Sequence, residues 1–154
     1  MARQIEVNLG RTIPATSDRV HALVADYLSG QPVPDDLVAD PVAMQAGTAV
    51  VYLRLIDAEP PVVRVFSPLL RDLDVSGALL AELNELNARL TFDRLFWRDR
   101  AVYAATERLA ETLTATDLRH AIDSLADHAD YYDVRLHDRF GGVIAFADNR
   151  ENSR

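Results

Sequence analysis

Apolar positions along this chain switch between a period of about two and a period of about 3.6, and the switches divide it into elements. Ile5, Val7 and Leu9 alternate within an N-terminal arm of fifteen residues, which either adds a strand to a sheet edge or stays loose. Ser17-Asp18 opens a helix with Val20, Leu23, Val24, Tyr27 and Leu28 on one stripe, and Gly30 stops it. Pro32, Pro34, Pro41 and Gly47 mark residues 31–47 as loop and as the best candidate linker, with one short strand near Pro41–Gln45. Thr48–Asp57 is β-branched and apolar, Ala58-Glu59-Pro60-Pro61 turns it, and Val62–Phe66 returns as a hairpin. Ser76 caps a second helix whose stripe is Leu79, Leu80, Leu83, Leu86 and Leu90. Phe92–Asp99 and Ala101–Leu109 form a second hairpin around Asp99-Arg100. A long helix spans about Thr116 to Phe140 and buries Leu118, Ile122, Leu125, Ala129, Tyr132, Leu136 and Phe140, ending at Gly141-Gly142.

The order is α-(β)-β-β-α-β-β-α. Hairpins demand antiparallel pairing, so the fold class is α+β, an antiparallel sheet with flanking helices. The expected division is an arm at 1–15, a single domain at 16–142 and a tail at 143–154. One feature departs from a half-buried sheet, which should alternate apolar and polar residues. Val51, Leu53 and Leu55 line one side of the first hairpin, yet Val50, Tyr52 and Ile56 line the other, interrupted by Arg54. In the second hairpin Phe92 and Phe96 share a face, while Leu95 and Trp97 share the opposite one. A single layer of helices cannot cover both. The far side therefore meets the first helix, a partner subunit or a bound chain.

Composition narrows the chemistry. The 154 residues suit one domain and a core that needs no staple. There is no cysteine, which removes thiol catalysis, zinc–thiolate sites and disulfides. All sixteen basic residues are Arg, which removes a P-loop or Schiff-base lysine. The net charge of −8 argues against nucleic acid, and no apolar run reaches a membrane span. No apolar h-region opens the chain, so no signal peptide is expected.

The richest polar segment is Arg119–Asp138. His120, Asp123, Asp127 and Asp130 fall within an arc of about 80° on the last helix, a set able to hold a hard metal ion. The same arc lies nearly opposite the leucine stripe and should face water, so a solvated acidic face explains it without any ligand. His137-Asp138 matches a metal phosphohydrolase pattern in a dipeptide only. No nucleophile elbow, G-x-G-x-x-G or H-E-x-x-H occurs, so no enzyme and no cofactor is expected. Two other features are candidates for binding. Arg54 and Arg64, on neighbouring strands, either hold a carboxylate or lay their stems over apolar surface. Asn87, at the edge of the second helix's stripe, and Asn84, just beyond it, either tie that helix to nearby backbone or hydrogen-bond a bound peptide.

L-N-E-L-N-A-R (Leu83–Arg89), F-x-R-x-F (Phe92–Phe96), L-A-E-T-L (Leu109–Leu113), Ala129-Asp130 on the long helix and F-G-G (Phe140–Gly142) together resemble the YbjN-like group of bacterial proteins. V-F-S-P-L-L (Val65–Leu70) fits the same pattern. The resemblance covers roughly Pro41–Gly142 and implies a fold related to the type III secretion chaperones. It implies peptide binding, a homodimer, no cofactor and no catalysis. The resulting expectation is a cytoplasmic chaperone or adaptor that binds a protein or peptide client. Tyr52, Arg54, Arg64, Asn84, Asn87 and Trp97 are its candidate contacts. A structural homodimer using the same face is the alternative, and a metal-dependent enzyme a distant one.

Overall fold

The computed structural model describes residues 12–148. Its elements are α1 (Thr12–Leu28), β1 (Val42–Ala46), β2 (Ala49–Ile56), β3 (Val62–Arg71), α2 (Gly77–Asn87), β4 (Arg94–Arg98), β5 (Ala101–Leu109), α3 (Ala115–Phe140) and β6 (Val143–Ile144). The strands form one antiparallel sheet in the order β1-β2-β3-β5-β4. β6 pairs with Leu70 and Arg71, at the end of β3 beyond its pairing with β2. The sheet is thus built from two hairpins, whose inner strands β3 and β5 meet. Asp99 and Arg100 turn the second hairpin with φ of 51° and 62°, the left-handed pair that a tight two-residue turn requires.

All three helices sit on one side. α3 crosses β3, β5 and β2, α2 packs beside β4, and α1 packs against α3. Between sheet and helices lies the core, with Val51, Leu53, Val65, Leu70, Leu79, Leu95, Leu118, Ile122 and Leu125 all buried. Caps define the helix starts. Ser76 Oγ accepts from the Leu79 N–H at 3.1 Å. Thr114 and Asp117 bond reciprocally as a capping box, which starts α3 at Ala115.

Several sequence expectations change. α1 begins at Thr12, well before Ser17-Asp18. Pro14 is no obstacle, because the first turn of a helix has unpaired N–H groups and tolerates proline. Ile5, Val7 and Leu9 lie outside the described residues. Residues 31–47 are not a linker. Leu37 is buried, its carbonyl accepts from the Leu55 N–H at 2.9 Å, and Val42–Ala46 forms the edge of the sheet. Proline marks turns and does not report whether a loop is anchored.

Leu80 is exposed, because α2 has only a narrow contact with β4 and buries Leu79, Leu83 and Leu86 alone. The expected tail at 143–154 begins with a strand. Gly142 allows it, since φ is +79° and a Cβ there would stand 2.9 Å from the Arg71 carbonyl oxygen.

Candidate functional site

No element among the described residues covers the second side of the sheet. Strand register decides what stands there. In β2 and β3 the burial pattern alternates, so Tyr52, Arg54, Ile56, Val62, Arg64 and Phe66 share the open side. Pairing carries that side on to Tyr103, Ala105 and Glu107 of β5 and to Arg94, Phe96 and Arg98 of β4. Tyr52 and Phe66 are directly opposed and stack, with ring centroids 5.4 Å apart. Phe96 and Tyr103 do the same at 5.5 Å. Ala105 is buried beneath these long side chains. Its small side chain leaves a cleft of about 270 Å³, lined by Phe66, Phe96, Tyr103, Arg54, Arg64, Arg98 and Asp99.

The charge on this side is positive, although the chain is net negative. Arg54 stands directly opposite Arg64 across the β2–β3 pair. Opposed residues of an antiparallel pair have Cβ atoms about 4.5–5.5 Å apart, and like charges there are unfavourable. Arg64 is answered by Glu107, with Nε donating at 2.7 Å. Arg94 also donates to Glu107, at 3.1 Å, and Arg98 pairs with Asp99 at 3.3 Å. Arg54 donates to the Val38 carbonyl at 2.8 Å, and its Nε is buried with no hydrogen-bond partner. Among the described residues no carboxylate forms an ion pair with Arg54.

Hydrogen bonds from Arg94, reinforced by Arg64, hold the Glu107 carboxyl below its usual range. A depressed folded-state pKa gives stability that is present above the unfolded value of about 4.3 and is lost as the pH falls through the folded value. Glu107→Gln should therefore melt below the wild type at pH 7, and the gap should close in acid. A gap of equal size at about pH 7 and about pH 3 would show that the charge contributes nothing.

The structure brings Tyr52, Arg54 and Arg64 together on the open side. It does not bring Trp97 there. Trp97 shares the covered side with Leu95 and donates its indole N–H to the Leu73 carbonyl at 2.8 Å. Asn87 accepts from the Leu95 N–H at 2.7 Å and donates to the Leu95 carbonyl at 2.8 Å, so both amide atoms are engaged in tying α2 to β4. Asn84 is exposed on α2.

Phe92 does not share a face with Phe96. β4 starts only at Arg94, and Phe92 turns toward α3, against Arg108 and the edge of His120. The partners that sequence reasoning missed are Phe66, Tyr103, Arg94, Arg98 and Glu107. Their signal was the alternation within each strand, which becomes a surface only once the strand order is known.

The acidic arc on α3 is dispersed. Asp130 bonds Thr48, Asp123 accepts from Tyr27 Oη at 3.5 Å, and His120 and Asp127 are exposed. Burial, then the neighbouring Asp123 carboxylate, pushes the Tyr27 hydroxyl above its ordinary pKa. Among the described residues no group of three or more His, Asp or Glu is arranged to hold a metal ion. His137 stands in the last turn of α3, with Nδ1 3.0 Å from the Gly142 carbonyl. Asp93, which no sequence motif flagged, is buried and ties the start of β4 to Ser124 and His128 of α3.

An antiparallel sheet with helices on one side and an open aromatic and arginine surface on the other defines this chain as a one-sided α+β domain. A chain of the solved ExsC–ExsE complex has the same fold, with a TM-score of 0.62 and 19% identity over 77% of this chain and 93% of that one. The chain belongs to the family described as T3SS (YopN, CesT) and YbjN peptide-binding chaperone 1, whose model matches residues 15–148. No curated protein matches it. No helix among the described residues is long and apolar enough to cross a membrane.

Proposed function

We propose that this chain binds an extended protein or peptide client on the open side of its sheet, without catalysis, as a cytoplasmic chaperone or adaptor. The observation that carries the reading is the one-sided sheet. Two stacked aromatic pairs and a cleft lie on a surface that no described helix covers. Half-buried aromatic rings interleaved with arginines on an uncovered sheet side support an interaction site there. Membership in a peptide-binding chaperone family supports it, as does a fold neighbour solved as a complex of two proteins.

An immobilised array of varied 15-residue peptides tests the reading. Phe96→Ala should abolish most retained spots, whereas Leu80→Ala, on the exposed flank of the helical side, should leave them unchanged. The reverse pattern would move the site to the helices. A blank array with folded wild-type protein would end the proposal.

The same open surface supports a second reading, a homodimer with this side as its interface. Sedimentation velocity separates the two. A dimer broken by Phe96→Ala assigns the surface to a second copy, while a monomer, or a dimer that Phe96→Ala leaves intact, keeps it for a client. Trp97→Ala does not serve here, because the indole is engaged on the covered side.

A further inference from the structure

We infer that the client segment is acidic, with a Glu or Asp side chain seated between Arg54 and Arg64 and an adjacent aromatic or aliphatic side chain in the cleft over Ala105. This rests on the peptide-binding reading and deepens it. Arg54 and Arg64 face each other across two strands, the arrangement that like charges disfavour. Glu107 relieves only the Arg64 end. Arg54 donates to the Val38 carbonyl and has no carboxylate partner among the described residues. A carboxylate placed between the two guanidiniums offsets their like-charge opposition, and arginine's planar fork suits carboxylate geometry. Phe66, Phe96 and Tyr103 supply the apolar walls beside it.

A second copy of this chain fits the surface poorly. Two-fold pairing of open sides would bring Arg54, Arg64, Arg94 and Arg98 from each copy into one interface, against only Glu107 and Asp99 from each. Charge complementarity therefore favours a foreign acidic segment over self-association.

Three fluorescein-labelled peptides of twelve residues test this, alternating Phe and Leu with Glu, with Gln or with Arg, read by fluorescence anisotropy. The Glu peptide is expected to bind at least about tenfold tighter than the Gln peptide. That advantage should shrink in about 0.5 M salt, which screens exposed charge. Arg54→Gln and Arg64→Gln should each cost the Glu peptide far more affinity than the Gln peptide, so that most of the advantage is lost. Glu107→Gln should tighten the Glu peptide several-fold, because it frees Arg64 and Arg94, and a damaged fold cannot produce that gain.

Equal binding of the Glu and Gln peptides overturns the acidic preference and leaves peptide binding standing. Binding of none of the three overturns the inference, and the peptide array then decides separately whether peptide binding survives. A dimer that the Glu peptide fails to dissociate and that Phe96→Ala breaks gives the surface to a second copy and also overturns it.

Discussion

Leu125→Ala is expected to lower the unfolding free energy by about 3–5 kcal/mol, the range for removing a fully buried leucine side chain from a core that relaxes only in part. Leu125 has no exposed surface and sits near the middle of α3, the helix that crosses β2, β3 and β5. The loss combines the transfer energy of the deleted methyl groups with the cavity they leave. For a chain of this size the melting temperature falls by about 2–4 °C for each kcal/mol. Urea unfolding should show a lower midpoint at an unchanged slope. Leu80→Ala supplies the contrast, since Leu80 is 49% exposed and should change stability by less than about 0.5 kcal/mol. Equal effects at the two positions would mean that α3 does not seat on the sheet as described. Leu125 lies on the covered side, so the folded variant should keep its affinity for a client.

The second large effect concerns the exposed edge of the sheet. β4 is an edge strand, so some of its backbone groups have no strand partner. Asn87 supplies both for Leu95, accepting from its N–H and donating to its carbonyl. Asn87→Ala should cost about 2–3 kcal/mol, because two backbone groups beside a buried leucine lose their partner together.

Asn87→Asp refines the test. The carboxylate keeps the acceptor but faces the Leu95 carbonyl with no donor, so its folded-state pKa should rise above the unfolded value of about 3.9. A raised folded pKa gives stability that is present below the unfolded value and lost as the pH increases. Asn87→Asp should therefore be destabilised at pH 7 and recover in part under acid, whereas Asn87→Ala should show no such recovery. Asn84→Ala should be neutral or slightly stabilising, since Asn84 is exposed and alanine is the better helix former. If Asn84→Ala costs as much as Asn87→Ala, the amide tie is not the cause.

These two asparagines show how far local pattern reaches. Asn87 stood at the edge of the leucine stripe of α2 and Asn84 just beyond it, and both were open to a structural or a binding role. Asn87 is one turn closer to β4, and that placement engages both of its amide atoms. Trp97 makes the same point from the strand side. Its alternation with Phe96 put the two on opposite faces, which holds, but alternation has no sign. It does not say which face the helices take.

The acidic arc of α3 was legible as a solvated face, since His120, Asp123 and Asp127 are exposed. Asp93 was not legible, because a lone aspartate before a strand carries no period. Only the approach of α3 gives it Ser124 and His128 as partners.

By itself the sequence determined the class of fold, the places of the two hairpins, the N-cap of α2 and the core stripe of α3. Each is set by local periodicity and by residues with a fixed backbone preference. Tertiary structure decided the rest: that all three helices lie on one side, that β3 and β5 are neighbours, and that β1 closes the edge. Those are non-local contacts, and period-two alternation is the same whichever face is covered. The open surface of stacked aromatic rings and opposed arginines belongs to this second group. It is assembled from β2, β3, β5 and β4, whose adjacency no single stretch of sequence contains.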